Sequence, residues 1–200
     1  MVDTGIRPAE GLTAIAGGAM LGVREVETPH PGSPSPLNKV VVVLTDGIEN
    51  TAFEEPAGTW LSLLGGPMYT PNAVTVNDTV NTSPVTWPAN VKRFAIGVGA
   101  AGTVSPAQLN AFAGDVQNVM YVDQDLTGKL YFQLEKHYTQ IFMNVVGTQT
   151  VLDPMYWINP GEKHEIQFEV LRGDVDAMVV IFDYQGTVSY THLTLPTNRE

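Results

Sequence analysis

The stretch Lys39-Val40-Val41-Val42-Val43-Leu44-Thr45-Asp46-Gly47 decides the fold class. Five of its first seven residues are β-branched and favour extended backbone, and the run from Val40 to Leu44 is apolar without alternation. That is the pattern of a strand buried on both faces of a parallel sheet. It stops at an acid followed by glycine. Open α/β sheets place their ligands at this carboxyl edge.

Two further runs repeat the theme. Arg93-Phe94-Ala95-Ile96-Gly97-Val98 predicts a second buried strand, and Val119-Met120-Tyr121-Val122 a short third one ending at Asp123. Helices are predicted between and around them. Ile15, Ala19, Leu21, Gly22 and Val26 lie at near-helical spacing, with Thr13 as a candidate cap. Four prolines in residues 28–36 end that helix. Ser105-Pro106 opens another, which carries Leu109, Phe112 and Ala113 and stops at Gly114. Thr127 to Val146 predicts a long amphipathic helix, with Leu130, Leu134, Ile141, Phe142 and Val145 along one side. Helices alternating with strands predict a parallel sheet covered on both faces.

Residues 49–90 interrupt this order. The segment carries prolines 56, 67, 71, 84 and 88, and only Trp60, Leu61, Leu63 and Leu64 suggest a short helix. A connection of this length is usually functional or mobile. After Gly147 the character changes. Asp153-Pro154 and Asn159-Pro160-Gly161 are turn signals. Lys163 to Val170 alternates apolar and polar residues, and Ala177 to Phe182 predicts a neighbouring antiparallel strand.

Composition narrows the function classes. The chain of 200 residues is 44% hydrophobic and 16% charged, which suits a packed core rather than a disordered chain. A net charge of −11 disfavours nucleic acid and anionic membrane surfaces. The absence of cysteine removes disulfides, zinc–thiolate sites and thiol catalysis. His30, His137, His164 and His192 have no paired spacing and are expected to be ordinary surface or edge residues. No apolar stretch approaches the roughly 20 residues of a membrane helix, so no membrane insertion is expected. Neither a Gly-x-Ser-x-Gly elbow nor a His-Glu-x-x-His or P-loop motif is present, and no enzymatic activity is expected.

The loop Gly11-Leu12-Thr13-Ala14-Ile15-Ala16-Gly17-Gly18, the strand end Val43-Leu44-Thr45-Asp46-Gly47, the run Phe94 to Gly99 and Tyr121-Val122-Asp123 together resemble the von Willebrand factor A family in sequence and order. The resemblance covers roughly Gly5 to Val146. It implies a Rossmann-like, three-layer α/β fold over residues 1–150, corresponding to the second half of the family fold. Residues 151–187 are expected to begin an antiparallel β-sandwich. Residues 188–200 resemble a translated sequencing adapter and are expected to be a non-native tail, although Val188 to Thr197 also fits one more alternating strand.

The family holds a magnesium-type ion (Mg2+, with Mn2+ or Ca2+ as substitutes) in a metal-ion-dependent adhesion site. A protein partner completes the coordination with an acidic side chain. By resemblance Thr13 matches the family's threonine ligand and Asp46 its aspartate. Hydroxyl ligands add no charge, so the ion stays positive enough to attract a carboxylate. The family's Asp-x-Ser-x-Ser loop occurs nowhere in this sequence. Truncation upstream and weak or absent metal binding by this chain are therefore expected. An adhesion module followed by a sandwich suits an extracellular or cell-envelope setting.

Other readings stand beside this one. Gly97-Val98-Gly99-Ala100-Ala101-Gly102 is a literal G-x-G-x-x-G after a strand, which with Asp123 would suit a nucleotide-dependent oxidoreductase. A purely structural domain is a third reading. Without the family order, Thr13 reads as a helix cap and Asp46 as a turn acid. Asp125 reads as another cap, and Glu49, Glu54 and Glu55 as a solvated acidic face.

Overall fold

In a computed structural model, residues 12–29, 31–32, 38–71, 73, 78–100, 102–122, 131–148, 161–167, 178–181 and 189–192 are described. The chain divides into two compact units, Met1–Leu126 and Thr127–Glu200. The boundary expected at 147–153 falls largely outside the described residues.

The first unit is mixed α/β. Helix α1 (Ile15–Glu27) leads to strand β1 (Lys39–Thr45). Further on come β6 (Val91–Val98), α2 (Pro106–Ala113) and β7 (Val119–Val122). These strands form a parallel sheet in the order β1-β6-β7, so the parallel pairing expected from the apolar runs is present. In the register Val43 pairs with Ala95 and Thr45 with Gly97, which aligns the carboxyl ends of β1 and β6.

Among the described residues β6 is the one strand of this sheet with a neighbour on each side, and it is buried on both faces: Val91, Ala95 and Gly97 on one, Phe94, Ile96 and Val98 on the other. Strand β1 departs from its expectation. Among the described residues it is an edge strand. Val41 and Thr45 are buried, Val42 is half-buried, and Leu44 is 44% exposed. A β-branched run secures the extended backbone, but burial on both faces also needs neighbours.

Ile15, Ala16, Ala19, Met20 and Val23 of α1 join Val41, Val91, Ala95, Leu109 and Phe112 in one core cluster. Leu21, expected on the buried stripe, points outward. Gly97 belongs to this packing. A Cβ there would stand 2.8 Å from Leu109 Cδ1 and 3.1 Å from Val104 Cγ2. The sheet and α2 approach closely only because the side chain is absent. Ser105 caps α2 by accepting from the Gln108 N–H, and Gly114 ends it at φ +78°. Both ends match the sequence signals.

Residues 49–90 form a second sheet instead of the expected irregular segment. Strands β2 (Phe53–Glu54), β3 (Trp60–Ser62), β4 (Gly66–Tyr69) and β5 (Thr79–Pro84) assemble in the order β2-β3-β5-β4. The pairing is mixed, parallel for β3–β5 and antiparallel for β2–β3 and β4–β5. The helix suggested by Trp60 to Leu64 is a strand and a turn. Its backbone pairs on both sides, with Glu54 and Phe53 on one and Ser83 and Pro84 on the other. Gly65 then turns at φ +76°.

In the second unit α3 (Tyr131–Val146) forms as expected and ends at Gly147, φ +78°. Residues 127–130 lie outside the described residues. Ile141 is buried, whereas Phe142 is 60% exposed. Adjacent residues on a helix stand about 100° apart, so both cannot centre one face. Residues 162–167 are exposed and form no strand; the rest of the predicted strand to Val170 lies outside the described residues. Strand β8 (Met178–Ile181), within the predicted 177–182, pairs antiparallel with β9 (Ser189–His192), drawn from the adapter-like segment. No described helix is long and apolar enough to cross a membrane.

Candidate functional site

The carboxyl end of β1 makes the turn that displays Asp46. Thr45 folds its hydroxyl over this turn. Its Oγ1 lies 3.2 Å from both the Gly47 N–H, which donates to it, and the Gly47 carbonyl. This is a hydroxyl-braced turn, and it leaves Asp46 exposed. Leu44 and Ile48, two residues to either side, are 44% and 45% exposed.

Thr13 arrives from the other side, on the three residues that enter α1. Its main chain is held at both ends by one residue. The Thr13 N–H donates to Asn50 Oδ1 at 2.8 Å, and its carbonyl accepts from the N–H groups of Asn50 (3.1 Å) and Thr51 (3.2 Å). This places Thr13 Oγ1 3.3 Å from where a Cβ on Gly47 would stand. The two residues matched to metal-ligand positions therefore lie on touching loops, at the carboxyl edge of the parallel sheet. Gly47 matters here because any side chain would press on the threonine hydroxyl.

Thr13 is not the cap of α1. Ala14 occupies the capping position and makes no side-chain cap bond. The first turn is served from a distance by Glu49, whose Oε1 accepts from the Ala16 N–H at 2.5 Å. Its other oxygen, Oε2, accepts from the Leu63 N–H at 2.6 Å. Glu49 is only 2% exposed, which corrects the expectation of a solvated acid. Burial raises its pKa above the ordinary carboxylate value, and the hydrogen bonds from Leu63 and Ala16 oppose that rise. Nothing in the local sequence marks this residue, since its partners are main-chain groups of distant segments. Glu54 is exposed as expected, while half-buried Glu55 pairs with Arg24 at 2.8 Å.

No family model, curated protein or solved structure matches the chain.

The donor chemistry of the pair suits a hard cation: one carboxylate, one hydroxyl, both oxygen. The number does not suffice for tight binding, because such ions take six or more oxygens. Among the described residues no three His, Cys, Asp or Glu side chains cluster as a metal site. Water and a partner carboxylate would have to complete any coordination.

The glycine-rich run is arranged differently from a pyrophosphate cradle. Helix α2 begins at Pro106, beyond Gly102, and its first turn is already capped by Ser105. Gly97 is needed for packing against Leu109. Asp123 and Asp125 lie outside the described residues, as does His30. His137 is half-buried beside Gln140, with Nδ1 2.9 Å from Oε1, and His164 is exposed.

Proposed function

We propose that this chain is part of a von Willebrand factor A-type, Rossmann-like module that binds a protein partner through a divalent metal ion. Thr13 and Asp46 are its share of the adhesion site. One observation carries the reading: the Thr13 hydroxyl and the Asp46–Gly47 turn, distant in sequence, meet at the carboxyl end of β1. The partner supplies a carboxylate to the ion, and exposed Leu44 and Ile48 offer apolar contact beside it. Strand β8 belongs, in this reading, to the start of a β-sandwich domain. An ion such as Mg2+ would supply the positive charge that joins Asp46 to the partner's acid.

The test is a Mn2+ titration of the chain followed by amide resonance broadening. Weak binding, roughly in the millimolar range of low-affinity oxygen sites, should broaden Thr13 and Asp46 first. Asp46→Asn should abolish the effect. Broadening centred elsewhere, or tight binding by this pair alone, would refute the assignment.

A further inference from the structure

Glu49 and Asn50 stand where three parts of the first unit meet: the Thr13 loop with α1, the turn after β1, and the sheet of residues 49–90. Each has one hand on the Thr13 side and one on the inserted sheet. Glu49 spends Oε1 on Ala16 of α1 and Oε2 on Leu63 in the β3–β4 turn. Asn50 holds Thr13 at both its N–H and its carbonyl, and its own carbonyl accepts from the Tyr69 N–H of β4 at 2.9 Å. Thr51 adds a bridge to Tyr69.

Two features make these connections stiff. A carboxylate is planar, so rotating it to follow one N–H group takes the second oxygen away from the other. The main chain of Glu49 cannot follow instead, because Gln108 grips it. Gln108 Oε1 accepts from the Glu49 N–H at 2.8 Å, and Nε2 donates to the Glu49 carbonyl at 3.0 Å. Both residues are buried, Gln108 at 5% exposure, so water does not readily replace a lost bond.

We propose that Glu49 and Asn50 are positioning residues that couple the Thr13 loop to the inserted sheet, Glu49 through Leu63 of the β3–β4 turn and Asn50 through Tyr69 of β4. A ligand engaging that sheet then moves Thr13 relative to Asp46, and by thermodynamic reciprocity occupation of the Thr13–Asp46 edge alters the order of the β3–β4 turn. The regulatory meaning rests on the proposed role of that edge; the coupling itself does not.

The test perturbs the turn and reads the loop, in the full chain without metal. Gly65→Ala strains the turn, because φ is +76° and the new Cβ would lie 3.0 Å from Pro84 Cδ and 3.2 Å from the Thr82 carbonyl oxygen. Ser62→Ala is the milder alternative, since Ser62 Oγ accepts from the Gly65 N–H and bonds Thr82 Oγ1. Either change should shift the amide resonances of Thr13 and Ala16. It should also raise hydrogen exchange at Ala16 and Leu63 about tenfold. Ala95 and Ile96 in β6 should keep their protection, which reports an intact fold.

In a Glu49→Gln background the same change should leave the Ala16 amide where Glu49→Gln alone puts it. Should Glu49→Gln not fold, Glu49→Asp serves, since its shorter carboxylate cannot span both N–H groups. An unmoved Thr13 in the wild-type background, or equal Ala16 shifts in both backgrounds, overturns the coupling. Adding Mn2+ separates the two ideas. Coupling with no metal response at Thr13 and Asp46 leaves the proposal standing and removes the adhesion reading.

Discussion

Gln108 binds the main chain of Glu49 on both its polar groups, at 2.8 Å and 3.0 Å, across the gap between α2 and the end of β1. A single amide thus satisfies a buried N–H and a buried carbonyl in a segment that belongs to neither sheet. Gln108→Leu would leave both unpaired at a cost of about 1–3 kcal/mol each. Urea unfolding should show a lower midpoint with an unchanged slope. An unchanged midpoint would mean that the two bonds contribute nothing net.

Gly97→Ala should destabilise the chain by about 1–3 kcal/mol through overpacking. The new methyl meets Leu109, Val104 and Tyr121, at 2.8, 3.1 and 3.3 Å. Leu109→Ala removes the nearest of these atoms. Thermal denaturation of both single variants and the pair should give a cycle in which the second change relieves the first. Strict additivity would show that Gly97 is there for another reason.

The pH dependence follows from Glu49. Desolvation raises its folded pKa, outweighing the two N–H donors that favour the charged form. Between the unfolded and the folded pKa the folded state therefore holds a proton that the unfolded chain has released. The resulting stability is fully present below the ordinary value of 4.5 and is lost as pH rises through the folded pKa. The stability difference between wild type and Glu49→Gln, taken from urea unfolding at successive pH values, should fall as pH rises through that window. A difference that grows instead would mean the donors dominate.

Asp46→Asn and Thr13→Val should separate function from stability. Asp46 is exposed and its turn is braced by Thr45, so Asp46→Asn should stay within about 0.5 kcal/mol of wild type. Thr13 is secured through its main chain, which valine retains. Both variants should nevertheless lose the Mn2+ response at the β1 edge. A large drop in melting temperature for either would assign that residue to structure.

The parallel sheet was legible because its signals are local. The runs 39–45, 93–98 and 119–122 each contain their own extended preference, and Ser105-Pro106 and Gly114 carry both caps of α2. The inserted sheet was not. Its central strand β5, Thr-Val-Asn-Thr-Ser-Pro, is largely polar and exposed, so it lacks the apolar alternation that marks strands. Its pairing comes from partners on both sides. For the candidate site, the order of loops singled out Thr13 and Asp46, and the structure brings their loops into contact. Glu49 was not, because a buried acid is defined by the amides around it, and those belong to residues 16 and 63. The capping role given to Thr13 failed for the same reason: the acceptor came from another segment.

The inserted sheet lies between two strands that are next to each other. β1 and β6 pair along their whole length, yet the chain completes β2 to β5 before β6 begins. The central pairing is therefore among the most non-local contacts of the unit, and its formation must close the entire insertion as a loop. Such contacts form slowly, since closure entropy is lost before any strand bond repays it. An insertion that gathers its own hydrogen bonds first shortens the loop that remains to be closed. The order of assembly that follows is insert, then β1 with β6. Refolding of this unit should slow when the β4–β5 pairing is weakened, even though neither strand pairs with the sheet that forms last.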